Sequence, residues 1–68
     1  MSAWVDQFFD ADQARTGGVI RRSVYDIREH RGALDEIIDR AKEEDFHVIE
    51  TGDQIVVLCH SGALTIYC

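Results

Sequence analysis

The sequence predicts an α+β fold: an N-terminal helix, a central helix and a three-stranded antiparallel β-meander, with a short extra edge strand as an option. Apolar residues recur at helical spacing twice before residue 46, and residues 46–68 alternate with the period of strands. Two glycine-containing pairs, Gly52-Asp53 and Ser61-Gly62, interrupt that second region. Two-residue turns of this kind join antiparallel neighbours, so they predict a meander with a fixed register.

The chain divides into three parts by composition. Residues 1–14 are acidic and aromatic and are predicted to form the N-terminal helix, and residues 15–18 are a linker marked by Gly17 and Gly18. Residues 19–68 form a small α+β domain. With 68 residues in total, there is one domain at most, and its core is marginal for its size.

The N-terminal helix is predicted to be amphipathic and to begin at Ser2 as its N-cap. Trp4 and Phe8 are four residues apart, as are Val5 and Phe9, so these side chains form one broad apolar stripe. Three turns of helix are marginal in isolation. The stripe must therefore pack against this domain or against another protein.

The segment that follows combines strand and helix signals. Residues 19–22 can form a short edge strand, and Ser23 is a fair N-cap for a helical segment in which Val24 and Ile27 share a face. Gly32 is expected to break this segment. We expect a new helix after that glycine.

The clearest helix covers residues 33–45. Its apolar residues have the spacing i, i+3, i+4 and i+7 of a single face, while charged residues cover the rest: the apolar set is Leu34, Ile37, Ile38 and Ala41. This face matches the apolar face of the predicted sheet, so the two should form the core.

The register of the meander assigns each side chain to a face. The first turn predicts three opposed pairs: Phe46 with Cys59, Val48 with Val57, and Glu50 with Ile55. The core face is then almost entirely apolar and consists of Phe46, Val48, Ile55, Val57, Cys59, Leu64, Ile66 and Cys68. Residues 55–59 have the longest continuous apolar run, which predicts that they form the central strand.

The second face of the sheet is mixed rather than polar. Ile49, Val56, Leu58 and Tyr67 form an apolar patch there that a one-sided antiparallel sheet would not expose to water. Three kinds of cover are consistent with this pattern. They are the N-terminal helix, a second copy of the chain, and a foreign partner.

Net charge restricts the partners. Thirteen acids against seven bases give a net charge of -6, which opposes binding to nucleic acid and anionic lipid and suits a basic protein partner. No apolar run approaches the roughly 20 residues of a membrane span, and no leader pattern precedes a cleavage site. We expect a cytoplasmic protein that makes no contact with a membrane.

Cysteine and histidine residues do not combine into a reactive site in this register. Cys59 and His60 are adjacent in a strand and point to opposite faces, so they cannot form a nucleophile pair. His47 and His60 are diagonal neighbours on the second face, but two imidazoles fall short of the four ligands of structural zinc. The sequence therefore predicts no catalytic residue, no metal and no cofactor.

The two cysteines are predicted to be reduced. Pairing across the second turn would separate Cys59 and Cys68 by about 13 Å along the strands, which is beyond bridging range. An intermolecular disulfide through Cys68 is left as an alternative.

Five of the seven basic residues lie close together in the sequence: Arg15, Arg21, Arg22, Arg28 and Arg31. A strip of Arg21, Arg22 and Arg28 could contact phosphate despite the negative total charge. We favour the alternative that these arginines form ion pairs with nearby acidic residues of the same chain.

In its order of elements, the region 34–67 resembles the HicA toxins, small RNA-cleaving proteins with a double-stranded-RNA-binding-like fold. That family carries Gly-Ser-His at its first hairpin, with a catalytic histidine. Here Gly52, Asp53 and Gln54 stand at that place, so the activity does not carry over.

The preferred hypothesis is a small acidic protein-binding module without catalytic activity, an inhibitor or adaptor similar in size and charge to inhibitors made by phages. Its predicted anchors are Trp4, Phe8, Phe9, Ile49, Val56, Leu58 and Tyr67, because aromatic and large apolar residues dominate interface energetics. One alternative is a nucleic-acid-binding or toxin-like module that uses Arg21, Arg22 and Arg28. The other is a homodimer that covers its own second sheet face.

Overall fold

A computed structural model describes residues 3–68 and shows an α+β fold with a three-stranded antiparallel sheet, as the sequence predicts. The helices are α1 (Ala3–Phe9), α2 (Asp12–Thr16), α3 (Val24–Arg28) and α4 (Ala33–Glu43). The strands are β1 (Val19–Ser23), β2 (His47–Thr51) and β3 (Gln54–Leu58), and their order in the sheet is β1-β3-β2.

The hairpin of β2 and β3 has the predicted register. Val48 is paired with Val57, and Glu50 is paired with Ile55. Gly52 occupies the first turn position with φ +56°, the position that requires positive φ in a type II′ turn. The central position of β3 is also confirmed.

The third strand of the sheet comes from a different part of the chain than the meander prediction states. β1 pairs antiparallel with β3, from Val19 opposite Leu58 to Ser23 opposite Gln54. Residues 59–68 form no strand, so the predicted hairpin at Ser61 and Gly62 is wrong. The segment predicted as an optional edge strand provides the third strand instead.

Hydrogen bonds at both ends of the β1–β3 pair explain this outcome. Cys59 N–H donates to the Gly18 carbonyl at 2.9 Å, and Val24 N–H donates to the Asp53 carbonyl at 2.8 Å. His60 N–H then donates to the Leu58 carbonyl at 2.9 Å, a tight turn that directs the chain away from the sheet. With β1 in place, β3 has no free edge for residues 63–67.

The N-terminal region consists of two short helices rather than one. α1 ends at Phe9, and Asp10 N–H donates to the Gln7 carbonyl at 3.1 Å in a tightened last turn. α2 extends into the predicted linker and ends at Thr16, followed by the capping residue Gly17 with φ +77°. The predicted N-cap Ser2 lies outside the described residues.

The core lies between the helices and one face of the sheet. Its buried cluster comprises Val5, Phe8, Phe9, Ile20, Val24, Ile27, Ala33, Ile37, Ile55, Val57 and Cys59. Arg40 of α4 fastens α1 by an ion pair with Asp6 at 3.1 Å, and its guanidinium lies 5.2 Å from the centre of the Phe9 ring. Three residues predicted for this core, Leu64, Ile66 and Cys68, are exposed because their segment does not join the sheet.

The predicted starts of α3 and α4 are confirmed. Ser23 caps α3, since its Oγ accepts a hydrogen bond from Tyr25 N–H at 3.2 Å, and Val24 and Ile27 are both buried. Gly32, with φ +75°, separates α3 from α4. That left-handed conformation is one that glycine adopts without steric cost.

α4 ends two residues before the predicted boundary, in a Schellman motif. Phe46 N–H donates to the Ala41 carbonyl at 2.8 Å, and Asp45 N–H donates to the Lys42 carbonyl at 3.2 Å. Asp45 is the residue in the left-handed conformation, with φ +59°. Glycine is the usual residue at this position because a side chain there is strained.

Within residues 3–68, the helices are too short and too polar for any of them to cross a bilayer.

Replacing Asp45 with glycine should raise the free energy of unfolding by about 0.5 kcal/mol, because it relieves the left-handed strain and removes a negative charge from the helix C-terminus. Urea denaturation measures this change. Lys42→Gly, inside the last turn of α4, should instead lower stability by about 1 kcal/mol. A loss of stability in Asp45→Gly would contradict the Schellman assignment.

Candidate protein-binding surfaces

The sheet has one face that does not belong to the core, which we call the open face. Alternation along the three strands assigns to it Val19, Arg21, Ser23, His47, Ile49, Thr51, Gln54, Val56 and Leu58. None of these residues belongs to the buried core cluster of residues 3–68, which takes its strand residues from the opposite face. The helices therefore pack on one side of the sheet.

The centre of the open face is apolar. Val56 on β3 lies directly between Arg21 of β1 and Ile49 of β2, and this flanking leaves it 8% exposed. Leu58 and Ile49 are half-buried, and Val19 is 43% exposed. The register thus brings together three of the predicted anchors, Ile49, Val56 and Leu58.

The remaining predicted anchors are not on this face. Phe8 and Phe9 are buried in the core of the chain, so the prediction that they are surface anchors is corrected. Trp4 is half-buried and lies between partners of its own chain, with its ring stacked on His30 at a centroid distance of 4.2 Å and the Arg22 guanidinium 6.0 Å away. The pairing of α1 with α4 on the core side explains these positions.

Tyr67, the last predicted anchor, lies in the tail segment, which we define as residues 60–68. All nine residues of this segment are exposed, and Tyr67 is 95% exposed. Its side chain is therefore accessible but is not part of the sheet.

A cleft of about 430 Å³ lies at the outer edge of β2, and we call it the edge cleft. Adjacent residues of β2 that point to opposite faces both line it, which places the cleft at the strand edge rather than on one face. Most of its wall is apolar: Leu34, Ile38, Ala41, Phe46, Val48, Ile49, Ile55 and Leu64. The polar lining residues are Lys42, His47 and Glu50.

Two histidines hold the start of the tail segment. His47 Nε2 lies 2.6 Å from the Gly62 carbonyl oxygen, and Gly62 N–H donates to His60 Nδ1 at 3.1 Å. The carbonyl can only accept, so Nε2 of His47 carries the proton, while Nδ1 of His60 carries none. The ring centroids are 5.8 Å apart, in keeping with the predicted proximity of the two residues.

The arrangement of the two histidines is that of a backbone clamp. No group of three or more His, Cys, Asp and Glu side chains with metal-binding geometry occurs in residues 3–68. Both imidazoles use a nitrogen to hold Gly62. Their geometry therefore positions the tail segment.

The arginines do not form the strip considered from the sequence. Arg21 and Arg22 are neighbours in β1, and they point to opposite faces: Arg21 is paired with Val56 of the open face, and Arg22 with Ile55 of the core face. Arg28 ends α3. Within residues 3–68, these three arginines make none of the ion pairs, which instead join Arg15 to Asp10 and Asp12, and Arg40 to Asp6.

The cysteines differ in their surroundings, and both are free thiols. Cys59 is buried in the core cluster, and this burial raises the pKa of its thiol more than a backbone hydrogen bond from Ile20 lowers it. Cys68 is exposed. A raised pKa reduces the thiolate fraction at neutral pH, so Cys59 is a poor nucleophile.

Comparison with known proteins adds no functional residue to these surfaces. The chain matches no protein-family model, no curated protein and no solved structure. The candidate surfaces are therefore defined by register, burial and charge alone. Sequence reasoning located the centre of the open face, but it missed the edge cleft, because the cleft is formed where α4 packs beside β2, which no local sequence pattern specifies.

Replacing Phe8 with alanine should unfold much of the protein, because truncating a buried phenylalanine costs about 3–5 kcal/mol, a large share of the stability of a small domain. Urea denaturation followed by circular dichroism measures the loss. Tyr25→Ala, on the exposed side of α3, is the control and should change stability by less than about 0.5 kcal/mol. A stable Phe8→Ala variant would place Phe8 outside the core.

The two thiols should react at different rates with a disulfide reagent at neutral pH. Cys68 should react at once, and Cys59 should react at least about tenfold more slowly because it is buried and its pKa is raised. Stopped-flow absorbance gives both rates, and Cys68→Ser removes the fast phase. Equally fast reaction of both thiols in the native protein would contradict the burial of Cys59. So would a reaction rate of Cys59 that does not rise when denaturant is added.

Proposed function

We propose that this chain is a small protein-binding module that acts by contact as an inhibitor or adaptor, with the open face as its binding surface. The observation that carries the proposal is the accessible apolar surface of the open face, where Val19 is 43% exposed and Ile49 and Leu58 are half-buried around Val56. Antiparallel sheets of single domains normally present polar residues on such a face. An apolar patch of this kind is typical of an interaction site.

The distribution of charge supports the same surface. The chain carries 13 acidic residues, yet no aspartate or glutamate stands on the open face, whose one permanently charged residue is Arg21. Depletion of charge at the centre is the compositional mark of a protein interface. The net charge of -6 would steer a partner of positive net charge toward the module at longer range.

The chemistry of the side chains favours binding over catalysis. The thiol of Cys59 is buried with a raised pKa, the reverse of an activated nucleophile. Both imidazoles of the clamp are engaged with the backbone of Gly62. We infer a non-catalytic module, and two free cysteines are in keeping with a reducing compartment such as the cytoplasm.

Nucleic-acid binding is the weaker candidate. The net charge of -6 opposes it, and Arg21 and Arg22 lie on opposite faces of the sheet. Fluorescence anisotropy with labelled RNA and DNA at low salt tests it directly. Binding that falls steeply with added salt would favour the nucleic-acid candidate over the proposed function.

Replacing Val19 with aspartate should weaken partner binding at least about tenfold, or about 1.4 kcal/mol, because it introduces a charge beside Leu58 in the apolar patch of the open face. The partner is first captured from the native host with the immobilised wild-type chain and identified by mass spectrometry. Titration calorimetry with the purified partner then compares the variants.

Tyr25→Asp is the matched control, because it also exchanges an exposed apolar residue for the same charge, on α3 and outside the open face. Tyr25 is 67% exposed. This variant should bind as the wild type does. Equal binding by Val19→Asp, or equal losses in both variants, would contradict the assignment of the open face.

A further inference from the structure

The tail segment displays apolar side chains in a pattern that suits a β-strand. Leu64 is 45% exposed, Ile66 is 78% exposed and Tyr67 is 95% exposed. Residues 63–67 alternate between larger apolar and other side chains and contain Thr65, Ile66 and Tyr67, which favour strands. Within residues 3–68, this stretch pairs with no strand of the sheet.

The edge cleft offers a site of matching length and character. β2 is an edge strand of the described sheet, and its five residues correspond in number to residues 63–67. Beside it, Leu34, Ile38 and Val48 provide an apolar wall. An edge strand next to an apolar cleft is a template for the addition of another strand.

We propose that two copies of this chain associate by exchanging their tail segments. Residues 63–67 of each copy leave their own β2, where Leu64 lines the edge cleft of the single chain, and add antiparallel to β2 of the other copy. Leu64 and Ile66 then enter the edge cleft of that copy. Because strand residues alternate, Thr65 and Tyr67 then lie on the side of the open face. The contact is reciprocal, so it closes at two copies and does not propagate.

The direction of the tail segment explains why a second copy is the occupant. Gly62 lies against His47, at the start of β2, and Leu64 lines the cleft together with Ile49. A segment that continued along β2 from Gly62 within its own chain would therefore start beside His47 and run in the same direction as β2. A tail segment from another copy is free to run antiparallel, which is the more stable pairing per residue.

The distribution of charge favours the tail segment and the edge cleft as the surfaces for self-association. Two chains of net charge -6 repel each other, and the exposed side of α4 carries many of the acids. Residues 61–68 contain no charged side chain, and the cleft balances Lys42 with Glu50. The tail segment and the edge cleft can thus meet without adding to the repulsion.

Sedimentation equilibrium at several protein concentrations tests the proposal with the full chain carrying Cys68→Ser, which prevents disulfide-linked pairs. This protein should be a reversible dimer. Adding Leu64→Asp and Ile66→Asp together should raise the dimer dissociation constant at least about tenfold, because two apolar side chains lose their place in the cleft. Both residues are exposed in the described chain, so the variant should fold, which its circular dichroism spectrum checks.

The double variant Ala63→Asp and Thr65→Asp is the matched control, since it adds the same charge on the opposite side of the strand. It should dimerise more tightly than the Leu64 and Ile66 variant. Val19→Asp should leave the dimer intact, so a failure of this proposal can be told apart from a failure of the proposed function. Dimerisation that is lost with Val19→Asp, and kept with the Leu64 and Ile66 variant, would overturn the exchange.

A synthetic peptide of residues 60–68 with serine at position 68 gives a direct test of the site. Added to the Leu64 and Ile66 variant, it should shift the amide NMR signals of β2 and of Leu34 and Ile38, whereas a scrambled peptide should not. A wild-type chain that stays monomeric at all concentrations, or peptide shifts confined to the open face, would overturn the proposal. So would protection of residues 63–67 from hydrogen exchange in a monomer, which would show pairing within one chain.

Discussion

The pairing of β3 with a strand on each side is the constraint on which the rest of this structure depends. Val57 of β3 is fully buried against the helices, while its neighbour Val56 must point to the other face. Because β1 and β2 occupy both edges of β3, the chain after Leu58 has no place beside its central strand. The apolar open face and the exposed tail segment both follow from this arrangement.

Local signals in the sequence were sufficient for the hairpin, for α4 and for the Ser23 cap, because each depends on residues a few positions apart. The third strand was not predictable in this way, since residues 19–23 and residues 63–67 compete for the same edge of β3. Long-range contacts decide between them: Ile20 enters the core, and hydrogen bonds at Gly18 and Asp53 fix both ends of β1. The apolar stripe of α1 was read correctly, but no local pattern shows whether such a stripe faces its own chain or a partner.

The number and length of the helices explain why only one of the two sheet faces is covered. The four short helices of residues 3–68 cover one face of the three-stranded sheet, and the described residues provide no further helix for the second face. On that second face Val56 is buried, whereas Ile49 and Leu58 are half-buried and Val19 is 43% exposed. The proposed binding role would account for them, because a partner would cover the apolar surface that Val19, Ile49 and Leu58 leave in contact with water.

The open face and the edge cleft are physically linked through β2. His47 and Ile49 belong to the open face and also line the cleft, so a strand docked at this edge would touch both surfaces. In the exchanged dimer, alternation would place Thr65 and Tyr67 beside Ile49 and extend the open face by a fourth strand. Tyr67 would then share a surface with Val56 and Leu58. The sequence analysis predicted this grouping on one sheet face, and a single copy of the chain does not show it. Self-association would in this way enlarge the surface proposed for partner binding, and the two equilibria would favour each other.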